Sequence, residues 1–489
     1  MKYSISKELS DSIYKYYPNL VKSAAYRKLF LHLMFGRIYE GYALISREVL
    51  ASCEECFHLV KHRNYNGSKF LSNFQSSIGL PLQIKSYNYL EGKARLALPK
   101  FVKEVEESLI IEVSNFLLGN TQEMYNFITG KKMNSKVLTS IKKELSDEVK
   151  LFYDNASEEA LPLLEYLNDL PTNVFTSKVN ETRPLVIETL VKLESSEVNP
   201  RLKKAKDVQL RQIEASLLMC IYEIPKPYYK PSSAGRTVRV FPHNQSMLQL
   251  HKSLRKVMCT GWTEYDLVSS QLAIVAKLWN ISLVEEFLKS GKHIWTDLFN
   301  HLGKDYVVLK KENQTYFNNL KGLLKESLYS LIYGMKKSAL LSNLTVGFKK
   351  LNIKEKGDFL FTHPIIAALY QAREIKLAQV LSDGKLVMSW YNNKTLILEG
   401  KDIKEKQNNV KSLIAQEAQL MEMLLITPVF DLAKKNKDSF TITLLQHDGL
   451  TIKFKDNFYK SIWDTRIKEV VSKEALKYQV ITELEGQLL

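Results

Sequence analysis

Apolar residues recur at helical spacing near the start of the chain, as at Phe30, Leu33, Met34 and Ile38, so residues 5–60 are predicted to be helical. The pattern then changes. A helix is expected around Ser46–Leu59, then a polar basic stretch, Lys61-His62-Arg63-Asn64, a short helix Ser68–Ser77, and two β-rich runs, Leu82–Tyr89 and Ala94–Leu98, flanking Glu91-Gly92. Helix, helix, hairpin is the order of a winged helix, in which Lys69 and Asn73 would face a DNA groove with Lys93 and Arg95 on the wing. The same order suits a small α+β cap that only packs on the rest. Residues 101–225 read as largely helical, with Pro162, Pro171 and Pro184 as breaks.

From Tyr228 onward the pattern carries more chemistry. Gly235-Arg236-Thr237-Val238-Arg239-Val240-Phe241-Pro242 leads into Asn244, Gln245 and, after a helical stretch, Arg255, all donors suited to gripping a nucleic-acid backbone or minor-groove edges. Trp262–Leu267 reads as a strand end carrying Asp266, followed by an amphipathic helix through Trp279. In Lys321–Met335 the residues Lys321, Lys325, Tyr329 and Tyr333 fall one helical turn apart, ending at Gly334. That stripe spans about 18 Å at about 1.5 Å per residue, room for phosphates at one end and a base pair at the other. Thr441–Leu445 and Leu450–Phe454 are β-rich runs around Gln446-His447-Asp448-Gly449, with the turn dipeptide Asp-Gly between them. Taken singly, Asp266 reads as a helix cap, Asp448 as a turn residue and the basic helix as a solvated face. Taken together they supply two carboxylates for hard cations and ammonium groups for a triphosphate.

Composition supports a phosphate-rich partner. The net charge is +16, with an acidic stretch over residues 101–200 and most of the excess over 201–400, the span that holds most of the chemistry. A clustered field of this kind serves a groove that displaces counterions from nucleic acid. With 489 residues, 45% of them hydrophobic, the chain is long enough for two or three cores. No apolar run approaches the roughly 18 residues of a membrane span and Met1-Lys2-Tyr3-Ser4 has no apolar signal core, so a soluble cytoplasmic protein with no membrane partner is expected. Cys53 and Cys56 form one Cys-x-x-Cys that lacks a second pair or nearby His, and so read as structural thiols.

These motifs, in this order, resemble the polymerase half of the family A nucleic-acid polymerases, the group of bacterial DNA polymerase I and related phage enzymes, over roughly residues 228–460. Asp266 matches the metal-binding aspartate of the first motif. Lys321, Lys325, Tyr329, Tyr333 and Gly334 match the second, and His447 and Asp448 match the third. Gly235-Arg236 with Pro242 and Gln245 resembles the primer-template contact segment, Ser290-Gly291-Lys292-His293-Ile294 resembles a Gly-Lys-Asp-Ile-His stretch, and Gln416 sits where the family has a template-contacting glutamine. The resemblance implies an α+β fold, a right hand of palm, fingers and thumb with a mostly helical N-terminal region. It implies two Mg2+ ions, replaceable by Mn2+, on Asp266 and Asp448. Lys325, helped by Lys321, would neutralise the triphosphate. Tyr329 and Tyr333 would line the nucleotide site, with Tyr333 stacking at the nascent base pair. His447 would steady the primer end or the triphosphate, and Arg236, Gln245 and Gln416 would hold the duplex, joined by Arg255 on its own chemistry as a long donor.

Three positions depart from the family. Gln271 stands five residues after Asp266, where the DNA polymerases usually have a glutamate that helps exclude a ribose 2′-hydroxyl; Lys321 replaces an arginine; Gly449 replaces an acid that often follows the hairpin aspartate. No Asp-x-Glu precedes residue 228, so a proofreading exonuclease is not expected. The expected domains are 1–100, helical or winged-helix; 101–227, helical connector and thumb; and 228–489, palm and fingers, with fingers about 285–380. The expected function is a compact phage-type or plasmid-type DNA polymerase using primer-template DNA and nucleoside triphosphates, with room for replication accessory proteins. An RNA-making relative, such as a primase or single-subunit RNA polymerase, and a catalytically silent DNA-binding replication protein are the alternatives.

Overall fold

A computed structural model describes residues 4–489 except 36–37, 40–41, 57–64, 90–91, 121, 194–206, 233–236 and 447–448. At its centre is an antiparallel sheet whose strands run, in spatial order, Phe440–Gln446, Gly449–Phe454, Thr263–Leu267 and Leu484–Leu488. Period-two alternation sends Thr263, Tyr265 and Leu267 inward and leaves Asp266 exposed. The outer strand Phe440–Gln446 is sealed by two buried tyrosines: the Tyr166 hydroxyl accepts from the Ile442 N–H and the Tyr229 hydroxyl from the Leu445 N–H, each at 3.1 Å. Sealing the edge satisfies donors that would otherwise template another strand. Burial pushes the Tyr166 phenol up to about 12.

The opposite edge depends on one glycine. A Cβ on Gly486 would lie 2.7 Å from Tyr265 Cε1, and that ring is fully buried, with its hydroxyl donating to Asp464 Oδ1 at 2.7 Å. Gly486→Ala is therefore expected to lower the urea unfolding midpoint, costing about 1–3 kcal/mol of overpacking. An unchanged midpoint in tryptophan fluorescence would show that the ring moves aside freely.

The largest core joins this sheet to the helices Asn457–Tyr478 and Ile403–Lys435 and to much of the helical stretch before it, including Leu163, Phe175, Val186 and Leu218. Among the described residues, Ile403–Lys435 is the one helix long and apolar enough to cross a bilayer. The sequence reading anticipated no such run; here two-thirds of its apolar window is buried in this core. Pro184, expected to break a helix, lies inside Thr172–Val191. It is on the exposed side, as is Asn180 four residues earlier, so the carbonyl deprived of its partner faces water.

A second core, drawn from residues 272–369, packs the helix Gln314–Ile332 through Phe317, Leu320, Leu324, Leu328 and Leu331. The buried Arg373 closes that helix, its Nη1 donating to the carbonyls of Leu331 and Met335 at 2.9 and 3.0 Å. A guanidinium there complements the negative end of the helix.

A third core belongs to the N-terminal region, from Ile5 to Phe127. Its sheet runs Ile38–Tyr39, Tyr42–Ile45, Gly92–Pro99, Leu82–Tyr89, with helices Arg47–Cys53 and Gly67–Ile78 between the second strand and the hairpin. Among the described residues the order is helix, two short strands, two helices and a hairpin whose last strand, Gly92–Pro99, pairs Tyr42–Ile45. Ile38, expected in a helix, pairs with Ala43 in this sheet instead, because long-range pairing of Tyr42–Ile45 with Gly92–Pro99 overrides local periodicity. The basic run 61–64 and Glu91 lie outside the described residues. Cys53, Cys56, Cys220 and Cys259 are free thiols.

Candidate active site

Asp266 is the anchor. It is the penultimate residue of its strand, three residues before Ser269, the cap of the helix Ser270–Leu278, so it does not cap that helix. Register pairs it with Gly449 on one side and Glu485 on the other. Directly opposed residues in an antiparallel pair share a face, so Asp266 and the exposed Glu485 present two carboxylates to the same side. A Cβ on Gly449 would approach Asp266 Oδ1 to 3.3 Å, so glycine leaves that oxygen room at the mouth of the hairpin. His447 and Asp448, the hairpin residues expected to act here, lie outside the described residues, as does Arg236.

Beyond Leu267 the chain reverses sharply through Ser269, whose φ of 52° is left-handed, a conformation that costs a non-glycine residue free energy and concentrates at functional sites. The reversal brings Gln271 into the first turn of the next helix, only 4% exposed. There the Tyr333 hydroxyl donates to Gln271 Oε1, and Gln271 Nε2 donates to Glu422 Oε1. Glu422, also buried, receives Nε of Arg239 at 3.1 Å and its Nη2. One turn of Ile403–Lys435 thus supplies both contacts, because Gln419, three residues before Glu422, accepts from the Thr237 hydroxyl.

The basic-aromatic stripe behaves differently at its two ends. Lys325 is exposed, its Nζ 5.4 Å from the Tyr329 ring centre. Lys321 is half-buried, with Nζ 3.4 Å from the Tyr306 hydroxyl and about equally close to the Tyr306 and Phe317 rings. Burial, then Lys310, holds its ammonium below the usual range. The helix stops at Ile332 rather than running through Met335: Tyr333 is its cap and Gly334, at φ 84°, takes the left-handed position, with the Met335 N–H returning to Ser330 O at 2.8 Å. What crosses Gly334 is the stem of Lys411, 2.9 Å from where a Cβ would sit.

Of the expected duplex contacts, Gln245 is half-exposed and Gln416 is half-buried on Ile403–Lys435, its Nε2 3.4 Å from Ser412 Oγ. Arg255 Nη2 lies 3.9 Å from Glu264 Oε1, on the Asp266 face of the central strand. Asn244 is not available as a nucleic-acid donor: buried, it accepts from Tyr228 N and donates to Lys226 O. Two participants escaped the sequence reading. Lys252, one turn before Lys256, has its ammonium held below the usual range by burial first, then by Lys256, Arg255 and Lys325, with Glu264 opposing, so cations from two separate helices share one field. Glu422 carries no sequence signal beyond being an acid in an apolar run, which by itself marks a paired charge and names no partner.

Among the described residues, no three His, Cys, Asp or Glu side chains gather closely enough to form a metal cage. Asp266 offers the hard carboxylate oxygens that a divalent cation takes as ligands.

No protein-family model matches the chain, and no curated protein matches its sequence. Among solved structures, the chain is similar to the POL domain of Pol1 from M. smegmatis in complex with DNA primer-template and dNTP. The TM-score is 0.43 and the identity 12%, over 79% of this chain and 73% of that one.

Proposed function

We propose that the chain is a template-directed DNA polymerase of the family A type, adding deoxynucleotides to a primer 3′ end. One observation carries this reading: Gln271, a turn beyond Asp266, is hydrogen-bonded to Tyr333 at the end of the Lys321–Lys325–Tyr329 stripe, while Asp266 faces the mouth of the 446–449 hairpin. The bond ties the segment that follows Asp266 to the end of the stripe, and the register ties Asp266 to the hairpin strand, which supports reading the three segments as one site. In this reading the central sheet is the palm and the 272–369 core the fingers.

Asp266 and Asp448 would hold two magnesium ions, for which manganese can substitute. Bound there, the ions supply a lowered pKa for the primer hydroxyl and charge neutralisation at the leaving pyrophosphate. Lys325 brings an exposed ammonium to the triphosphate, with Lys321 and Lys252 adding to the field. Tyr333 and Tyr329 form the aromatic end against which the nascent base pair stacks, and His447 steadies the primer end. Arg236, Gln245, Arg255 and Gln416 hold the duplex. The role fits replication of a phage or plasmid-like element without proofreading. The test is extension of a primed template in magnesium, first with dNTPs and then with rNTPs: extension with neither sinks the polymerase reading, and a ribonucleotide preference moves it to an RNA-making relative.

Read as a winged helix, the N-terminal order of helices and hairpin supports a second contact with duplex DNA, through Lys69 and Asn73, both exposed on Gly67–Ile78. In the full chain, Lys69→Ala with Asn73→Ala is expected to weaken binding to blunt duplex DNA and to reduce the slope of log K against log salt by about one. Fluorescence anisotropy across a salt series reads both, and an unaltered slope would leave the region as a packing cap.

A further inference from the structure

The chain Arg239, Glu422, Gln271, Tyr333 has a direction. Arg239 can only donate, and the Glu422 carboxylate paired with it can only accept. Glu422 therefore demands the NH2 end of the Gln271 amide, leaving the carbonyl end for the Tyr333 hydroxyl. Glu422 is 1% exposed and Gln271 4%, so water is not at hand to relax the order. Gln271 follows Asp266 by five residues and is bonded to Tyr333; in the proposed nucleotide site these two residues stand at the phosphate end and the base end, which puts Gln271 toward the sugar.

We propose that Glu422 is a positioning residue which fixes the orientation of the Gln271 amide and thereby sets how strongly the pocket rejects a ribose 2′-hydroxyl. The inference rests on the polymerase reading above. Its physical basis is that a polar side chain already committed at both ends offers a 2′-hydroxyl bulk without a partner, and a hydroxyl desolvated without a partner is penalised. In Glu422→Gln the new amide must give its carbonyl to Arg239, so its NH2 faces Gln271. Gln271 then turns over and presents its own NH2 toward Tyr333 and the cleft, where it can serve a ribose oxygen. Exchanging the two, Gln271→Glu with Glu422→Gln, again gives every donor an acceptor and leaves position 271 accepting from Tyr333, although the bond between positions 271 and 422 now runs the other way. Arg239 then donates to the carbonyl of the amide now at position 422, the NH2 of that amide donates to the carboxylate now at position 271, and Tyr333 donates to that same carboxylate.

The experiment measures kcat/KM for one matched dNTP and its rNTP on a primed template, in magnesium, for full-length wild type, the single variant and the exchange. Glu422→Gln is expected to narrow the dNTP-to-rNTP ratio by roughly tenfold, and the exchange to return it to the wild-type value. An unchanged ratio in Glu422→Gln, or a ratio that the exchange fails to recover, overturns the proposal while leaving the polymerase reading intact. If Glu422→Gln does not fold, the exchange decides alone: a wild-type ratio supports the relay and a collapsed one overturns it. If wild type extends no primer, the polymerase reading falls and takes this inference with it.

Discussion

Replacing Asp266 with alanine is expected to abolish primer extension, lowering the single-turnover rate by about three orders of magnitude. The figure follows from losing about 4 kcal/mol of metal-borne stabilisation at roughly tenfold per 1.4 kcal/mol. Exposure of Asp266 makes the test clean. Its side chain fills no core space, and its strand is held by register on both sides, so the variant should unfold at the wild-type midpoint. Glu264→Gln is the matched control: it removes an acid from the same face two residues away, one whose neighbour is Arg255 at 3.9 Å. Extension by Asp266→Ala at the wild-type rate, measured with excess enzyme over primer, would remove the metal assignment. Asp448→Ala is expected to match Asp266→Ala.

The next largest effect is expected at Lys325. Removing one preorganised charge aimed at a developing anion typically costs a factor of about 10²–10³, and Lys325→Ala is placed near 10² in kcat/KM for dNTP. Lys321→Ala should cost several-fold less, although both ammonium groups belong to one stripe. Lys321 is half-buried, lies against Tyr306 and Phe317 and has its charged form disfavoured by desolvation, whereas Lys325 projects into solvent. Steady-state kinetics of both variants on one template checks the order, and a larger loss at Lys321 would place the triphosphate at the other end of the helix.

Both predictions involve residues legible from sequence, and the reason is local. Period-two alternation exposes Asp266 while burying its neighbours, and the four-residue step puts Lys321 to Tyr333 on one side of a helix. The hairpin strands Leu82–Tyr89 and Phe440–Gln446 were legible on the same grounds. Where the reading failed, something non-local prevailed. Ile38 joined a sheet because a hairpin fifty residues later offered pairing, Pro184 stayed helical because its lost bond faces water, and the stripe helix ended at Ile332 because Arg373 and Gly334 close it there.

The sequence by itself determined which side chains could do chemistry and on which kind of element each would stand. The resemblance marked Gln271 as a departure from the glutamate usual in that family. Only the tertiary structure decided what Gln271 meets: Tyr333, 62 residues away, and Glu422, 151 residues away. Periodicity reports the face a residue occupies, because that depends on its own backbone; the partner on that face is set by strand register and helix packing, which no local pattern encodes.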